Sequence, residues 1–201
     1  TLIIEDTPYT IATAEGNEDG LLNFKTYDFS EYAVGETLAA TENDVEFRIS
    51  LSGGSMDIVQ DPDNTENKYL YMKCNVDENK SASYQLNLPE PVDSTVECSF
   101  RIKFENFDAF KNNDNHRASF PEVGGTPASD EKNNYYHVFL MNSAGQLSVR
   151  TKTADKVLLN EVKPNVWYTL TLRTDPKNNT FSTTIDGGEE GGSATLSNQT
   201  P

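Results

Sequence analysis

The run Thr95-Val96-Glu97-Cys98-Ser99-Phe100-Arg101-Ile102-Lys103-Phe104 decides how this chain is read. Val96, Cys98, Phe100, Ile102 and Phe104 fall on one side, and Glu97, Ser99, Arg101 and Lys103 on the other. A period of two kept without a break predicts a strand with one face in a core and one towards solvent.

Downstream, residues 105–134 hold no sustained period and contain Pro121, Gly124-Gly125 and Pro127. Loops of that length are uncommon in compact domains and often serve in binding. This one carries Phe107, Phe110, His116, Arg117 and Phe120. It feeds into Tyr135 to Lys152, YYHVFLMNSAGQLSVRTK, where two alternating runs flank Asn142-Ser143-Ala144-Gly145 and predict a β-hairpin. In the expected register Met141 faces Gln146, Leu140 faces Leu147, Val138 faces Val149 and Tyr136 faces Thr151, giving an apolar face. The opposite face then pairs Tyr135 with Lys152, His137 with Arg150 and Phe139 with Ser148. A short strand follows at Lys156 to Asn160. Asn165 to Thr174 and Phe181 to Asp186 form a last hairpin pairing Leu170 with Ile185 and Leu172 with Thr183, and Gly187 to Gly192 reads as a flexible exit.

Upstream, Thr1 to Thr13 reads as an edge strand with Leu2, Ile3 and Ile4, its pairing limited by Pro8. Strands are expected at Leu21 to Phe29, Val45 to Leu51 and Met56 to Gln60. Lys68 to Val76 places Leu70, Met72 and Cys74 on one face and Tyr69, Tyr71 and Lys73 on the other. Ala82 to Leu88 is stopped by Pro89 and Pro91. No helical period and no internal repeat interrupts this series. The expectation is an all-β fold, a two-sheet antiparallel β-sandwich or jelly roll, forming a single domain over residues 1–201. The abrupt ends suggest a piece of a longer multidomain protein.

Bulk properties narrow the function. The chain has 201 residues, a formal net charge of -16 and 10% aromatic residues, with a mean hydropathy of -0.63. Nucleic acids and anionic membrane surfaces need positive charge, so both are disfavoured as partners. No apolar run reaches the roughly 18 residues of a membrane span, so no membrane insertion is expected. The acidic, Asn-rich composition suggests an extracellular, monomeric domain. Cys74 and Cys98 fall on expected inward faces, either bridged or as two buried free thiols. No Cys or His cluster has zinc spacing.

Several stretches together resemble the concanavalin A-like and laminin-G-like jelly rolls. They are Asp28-Phe29-Ser30-Glu31-Tyr32 with Gly35, the strand Val96 to Phe104, Val166-Trp167-Tyr168, and Phe181 to Gly187. The resemblance implies two stacked sheets, one concave, with ligands on the concave face or at rim loops. Bacterial members are similar to carbohydrate-binding modules and to polysaccharide lyases and hydrolases; fold alone does not choose among them.

The polar strand faces share a composition: Tyr69, Tyr71 and Lys73; Glu97, Arg101 and Lys103; Tyr135, His137, Arg150 and Lys152; Trp167 and Arg173. On one sheet these would form a groove of flat rings and directional donors, which suits sugars with stacking C–H faces and many hydroxyls. Uronate carboxylates would suit Arg101 and Arg150. The competing account is an ordinary solvent-facing side of an amphipathic sheet. Trp167, the lone Trp, points outward under strict alternation with Tyr168, although a structural role is favoured for a residue so often buried. His137 beside Tyr135 and Arg150 invites a lyase in which Arg neutralises a uronate while His or Tyr moves the proton. A His packed between cross-strand neighbours is favoured over it. Paired carboxylates for hydrolysis are missing from the central strand, which has only Glu97. Asp61, Asp63, Asn64 and Asn67 offer calcium-type oxygens without an EF-hand's Gly and closing Glu. Asp28 and Asp186 are the metal candidates, placed at the closing edge where the resemblance implies structural calcium; solvated turn acids are the favoured account.

The expectation is thus a non-catalytic domain that binds a plant polysaccharide, cell-wall glycan or starch. A uronate-cleaving lyase and an adhesion or structural sandwich are the alternatives. The candidate ligand-binding residues are Tyr69, Tyr71, Arg101, Lys103, Tyr135, His137, Arg150, Lys152 and Trp167.

Overall fold

The computed structural model describes residues 2–5, 9–13, 22–27, 29, 31–41, 47–62, 64–73, 81–86, 95–107, 117–118, 139–142, 144–175 and 177–200. Its strands are β1 (Leu2–Glu5), β2 (Tyr9–Thr13), β3 (Leu22–Tyr27), β4 (Phe47–Ser52), β5 (Ser55–Gln60), β6 (Lys68–Lys73), β7 (Ser81–Leu86) and β8 (Val96–Phe104). They continue with β9 (Arg117–Ala118), β10 (Phe139–Met141), β11 (Leu147–Arg150), β12 (Asp155–Leu159), β13 (Trp167–Asp175), β14 (Thr180–Asp186) and β15 (Ser193–Gln199). A single helical turn, α1 (Gly188–Gly191), is the one helix among the described residues. The fold is all-β, and every described strand pair is antiparallel.

The largest sheet has nine strands along the path β15-β14-β13-β8-β1-β6-β5, with β2 bridging β8 to β3. β9 to β12 form a four-stranded sheet, and β4 pairs with β7 in a third. The long strand β8 is the axis of the large sheet. Its five inward side chains are buried and its four outward ones half-buried, in strict alternation. β13 runs the whole length of one side, Trp167 opposite Lys103 through to Thr174 opposite Val96. The other side is shared, with β1 alongside Ile102 to Phe104 and β2 alongside Val96 to Ser99. The expected edge strand at the N-terminus is therefore an interior one. β1 has a partner on each side, and the chain changes from β1 to β2 across residues 6–8, the segment that holds Pro8.

The last hairpin pairs as expected, Leu170 with Ile185 and Leu172 with Thr183. Beyond it the chain returns as β15 along β14. Gly187 to Gly192 is thus a turn with a destination rather than an exit. Tyr168 shapes that turn: its ring is fully buried, and a Cβ on Gly187 or Gly191 would lie 2.5 Å or 2.7 Å from the ring's Cε1. Its hydroxyl accepts a hydrogen bond from the Lys163 N–H at 2.8 Å.

The hairpin of β10 and β11 departs from the expected register by one residue. Phe139 lies opposite Val149, Leu140 opposite Ser148 and Met141 opposite Leu147. Asn142 extends the ladder, with its N–H donating to the Gln146 carbonyl at 3.2 Å. The turn therefore lies between Asn142 and Gln146, closed by a bond from the Gly145 N–H to the Asn142 carbonyl at 3.0 Å. Gly145 has φ 77°, the left-handed conformation that ends such a turn in a bulge. The Asn142 side chain fixes it by accepting from the N–H groups of Ala144 and Gln146, both at 3.0 Å. One fewer loop residue moves the buried set on β10 to Phe139 and Met141. On β11 the expected inward residues, Leu147, Val149 and Thr151, are the buried ones.

The core faces of all three sheets contribute to one apolar cluster. It takes Phe100, Ile102, Tyr168, Leu170, Phe181 and Leu70 from the large sheet, Phe139, Leu147 and Val149 from the four-stranded one, and Ile49 from β4. At one edge of the large sheet, residues 35–38 lie along β5 through Gly35 N–H to Ile58 O, Ile58 N–H to Glu36 O and Leu38 N–H to Met56 O, each 2.8 Å. That cover leaves less of the β5 edge open to another chain.

Candidate functional site

Opposite the core, the face of β13, β8 and β6 carries the densest group of candidate side chains. Tyr168 is locked inward, so alternation turns Trp167 outward, where it is half-buried beside Lys103. The Lys103 ammonium lies 4.7 Å from the centre of the Trp167 ring and 5.9 Å from that of Tyr69. The Arg101 guanidinium carbon lies 5.1 Å from the Trp167 ring centre. Tyr69 meets Trp167 edge to face, with 6.1 Å between ring centres and 68° between planes. Such cation–aromatic and edge contacts draw the four side chains together. Beside them the Tyr71 hydroxyl donates to Glu105 Oε2 at 2.9 Å.

Tyr69 lies on the outer face, as expected, but is covered there. It is only 8% exposed, so it buttresses Trp167 rather than offering a stacking surface. Burial, and after it the nearby Asp61, Glu105 and Tyr71, push its phenol above the ordinary value of 10.0. Trp167 and Tyr71, by contrast, are half-buried and so remain partly open to solvent.

Further along the same face, Thr169 and Thr171 follow Trp167 on β13, and the Thr171 hydroxyl lies 3.2 Å from that of Ser99. The row ends where Arg173 Nη1 meets Glu97 Oε2 at 3.7 Å. Thr169, Thr171 and Glu105 were not among the expected site residues. Continuing the alternation from Trp167, or from Lys103, by two positions would have found them.

The structure separates Arg150 and Lys152 from this group. β11 belongs to the four-stranded sheet, so Arg150 and Lys152 are not on the face of Arg101 and Lys103. A shared face required the two strands to be neighbours, and alternation fixes which way a side chain points but not which strand lies beside it. Arg150 Nε is bound to Asp155 Oδ1 at 3.1 Å within the β11–β12 hairpin. Lys152 is exposed and lines an open cleft of about 240 Å³ with Thr151, Thr153, Lys156, Asn198, Gln199 and Thr200. Tyr135 and His137 lie outside the described residues, as do His116, Phe110 and Phe120 of the long loop. Phe107, from that loop's start, packs on Phe104 with 5.8 Å between ring centres and so belongs to the core margin.

Of the metal candidates, Asp28 lies outside the described residues, and Asp186 is exposed with its Oδ1 accepting the Gly188 N–H at 2.9 Å. Among the described residues no three His, Cys, Asp or Glu side chains come together as a donor set. In the Asp61 loop, Asn64 Oδ1 accepts the Glu66 N–H at 3.1 Å, and the Gln60 side chain donates to the carbonyls of Thr65 and Asn67. These oxygens are already used in turning the chain. Cys98 is a buried free thiol, and burial first, then Glu97, push its pKa up to about 12. Cys74 lies outside the described residues.

No described helix is long and apolar enough to cross a membrane. Compared with protein-family models, with curated proteins and with solved structures, the chain matches none.

Proposed function

We propose that this chain is a non-catalytic carbohydrate-binding domain, a two-sheet sandwich of jelly-roll type working outside the cell within a larger protein, and that it takes a plant polysaccharide on the outer face around Trp167. The observation that carries this reading is the arrangement of Trp167 between Lys103, Arg101 and Tyr69 on a face continued by the hydroxyls of Ser99, Thr169 and Thr171. A half-buried indole flanked by these neighbours gives a sugar ring an apolar surface. Directional donors and acceptors on either side match the ring hydroxyls.

Affinity electrophoresis through gels cast with starch, xylan, pectin or β-glucan tests the proposal. The wild-type chain is expected to be retarded in at least one of them, and Trp167→Ala to migrate as in a gel without polysaccharide. Unretarded migration of the wild type in all four would favour the structural or adhesion reading instead. A rise in absorbance from unsaturated uronates during incubation with pectin would favour a lyase.

A further inference from the structure

The cations of this face indicate the kind of glycan it takes, an inference that rests on the carbohydrate-binding reading above. The chain carries 32 acidic residues against 16 basic ones, so a lysine has carboxylates in excess to pair with. Lys103 nevertheless forms no ion pair with any described residue; its ammonium contacts the rings of Trp167 and Tyr69. The nearest acid along its own strand, Glu105, takes the Tyr71 hydroxyl instead. Lys103 is also half-buried, so part of its hydration is gone without a carboxylate in return. Arg101 projects from the same face about 7 Å away along β8, its guanidinium on the same indole ring. An ammonium held beside an indole ring without a carboxylate partner forms a point-charge receptor for an oxyanion attached to a ring at that indole.

We propose that the Trp167 face binds an anionic glycan, with the sugar ring against the indole and its carboxylate or sulfate held by Lys103. The rest of the protein opposes such a ligand, because a net charge of -16 repels a polyanion. Retention of an acidic polysaccharide would therefore require a local basic spot of this kind rather than general charge attraction.

Isothermal titration calorimetry with four oligosaccharides tests it: oligogalacturonate, a sulfated galactan oligomer, a xylo-oligosaccharide and a malto-oligosaccharide. One of the two anionic ligands is expected to bind more tightly than both neutral ones, and which of them does so distinguishes carboxylate from sulfate. Lys103→Met keeps the stem over the rings and removes the charge, and is expected to weaken that binding by about tenfold or more. Lys103→Arg, which retains the charge, restores most of it. Tighter binding of a neutral ligand, or an affinity for the anionic one that Lys103→Met leaves unchanged, overturns the anionic proposal while leaving the carbohydrate reading intact. Absence of binding to all four overturns the anionic proposal, and overturns the carbohydrate reading too only if none of the four polysaccharide gels retards the chain.

Discussion

Replacing Gly145 by Ala tests the turn that sets the register of the β10–β11 hairpin, and Gly35 supplies its control. Both glycines have positive φ, 77° and 84°, so each alanine is forced into the left-handed region at about 1–2 kcal/mol. Part of that, roughly 0.4–1 kcal/mol, is offset because alanine also restricts the unfolded chain. At Gly35 nothing else is added, since no heavy atom lies within 4 Å of the new Cβ, and a loss of about 0.5–1 kcal/mol is expected. At Gly145 the Cβ would lie 2.8 Å from the Val162 carbonyl oxygen and 3.2 Å from Phe107 Cε2. The Val162 N–H also donates to the Gly145 carbonyl at 2.8 Å, so the two backbones cannot separate without losing that bond. Overpacking of this kind adds about 1–3 kcal/mol, for a total near 2–4 kcal/mol. For a domain of this size that corresponds to a melting temperature lower by roughly 4–16 °C. Urea denaturation followed by circular dichroism, with equal m-values checked, measures both variants. If Gly145→Ala loses no more stability than Gly35→Ala, the close approach of the turn to Val162 and Phe107 is wrong, and the register argued from it loses its support.

Two further outcomes follow from the separation of the candidates and from burial. Arg150→Ala is expected to leave glycan binding unchanged and to cost about 0–1 kcal/mol in urea denaturation, because its pairing with Asp155 is largely exposed; loss of binding in this variant would return the β11 hairpin to the site. The Cys98 thiol is expected to resist iodoacetamide at pH 8 in the folded chain and to react after denaturation, read peptide by peptide in a mass spectrometer. Its folded pKa is about 12 against an ordinary 9.0, so the stability that the neutral buried thiol contributes is present below pH 9 and declines as pH rises towards 12. Ready labelling of native Cys98, or stability that is flat across that alkaline window, would contradict its burial.

Much of the local structure could be read from side-chain alternation. On β8 every inward and outward assignment from Val96 to Phe104 agrees with the structure, and so do the pairings Leu170–Ile185 and Leu172–Thr183. Those features depend on a period of two and on a short turn, both contained in the sequence itself. The neighbours of β8 were not legible in the same way. β1 reaches it from about one hundred residues away, β2 from about eighty-five and β13 from about seventy, by pairings that no local pattern encodes. The assembly of Trp167, Lys103, Arg101 and Tyr69 depends on that order, which is why the expected group instead mixed residues of two sheets. The hairpin register was missed for a smaller reason: an Asn and a left-handed Gly shorten the loop by one residue, and a single residue exchanges the two faces of β10. Tyr69 lies on the outer face, as the alternation of its strand indicates, but the indole and ammonium beside it cover it, which that alternation does not encode.

The lone Trp of the chain stands at the centre of the proposed site, so its own fluorescence reports on occupancy without a label. Titrating the native chain with oligosaccharides from whichever polysaccharide retards it, while following Trp167 emission, tests the central claim most directly. The account predicts a saturable change in intensity or wavelength whose midpoint matches the calorimetric affinity and which Lys103→Met shifts to higher concentration. Emission that stays constant while calorimetry registers binding would place the glycan away from Trp167 and contradict the site.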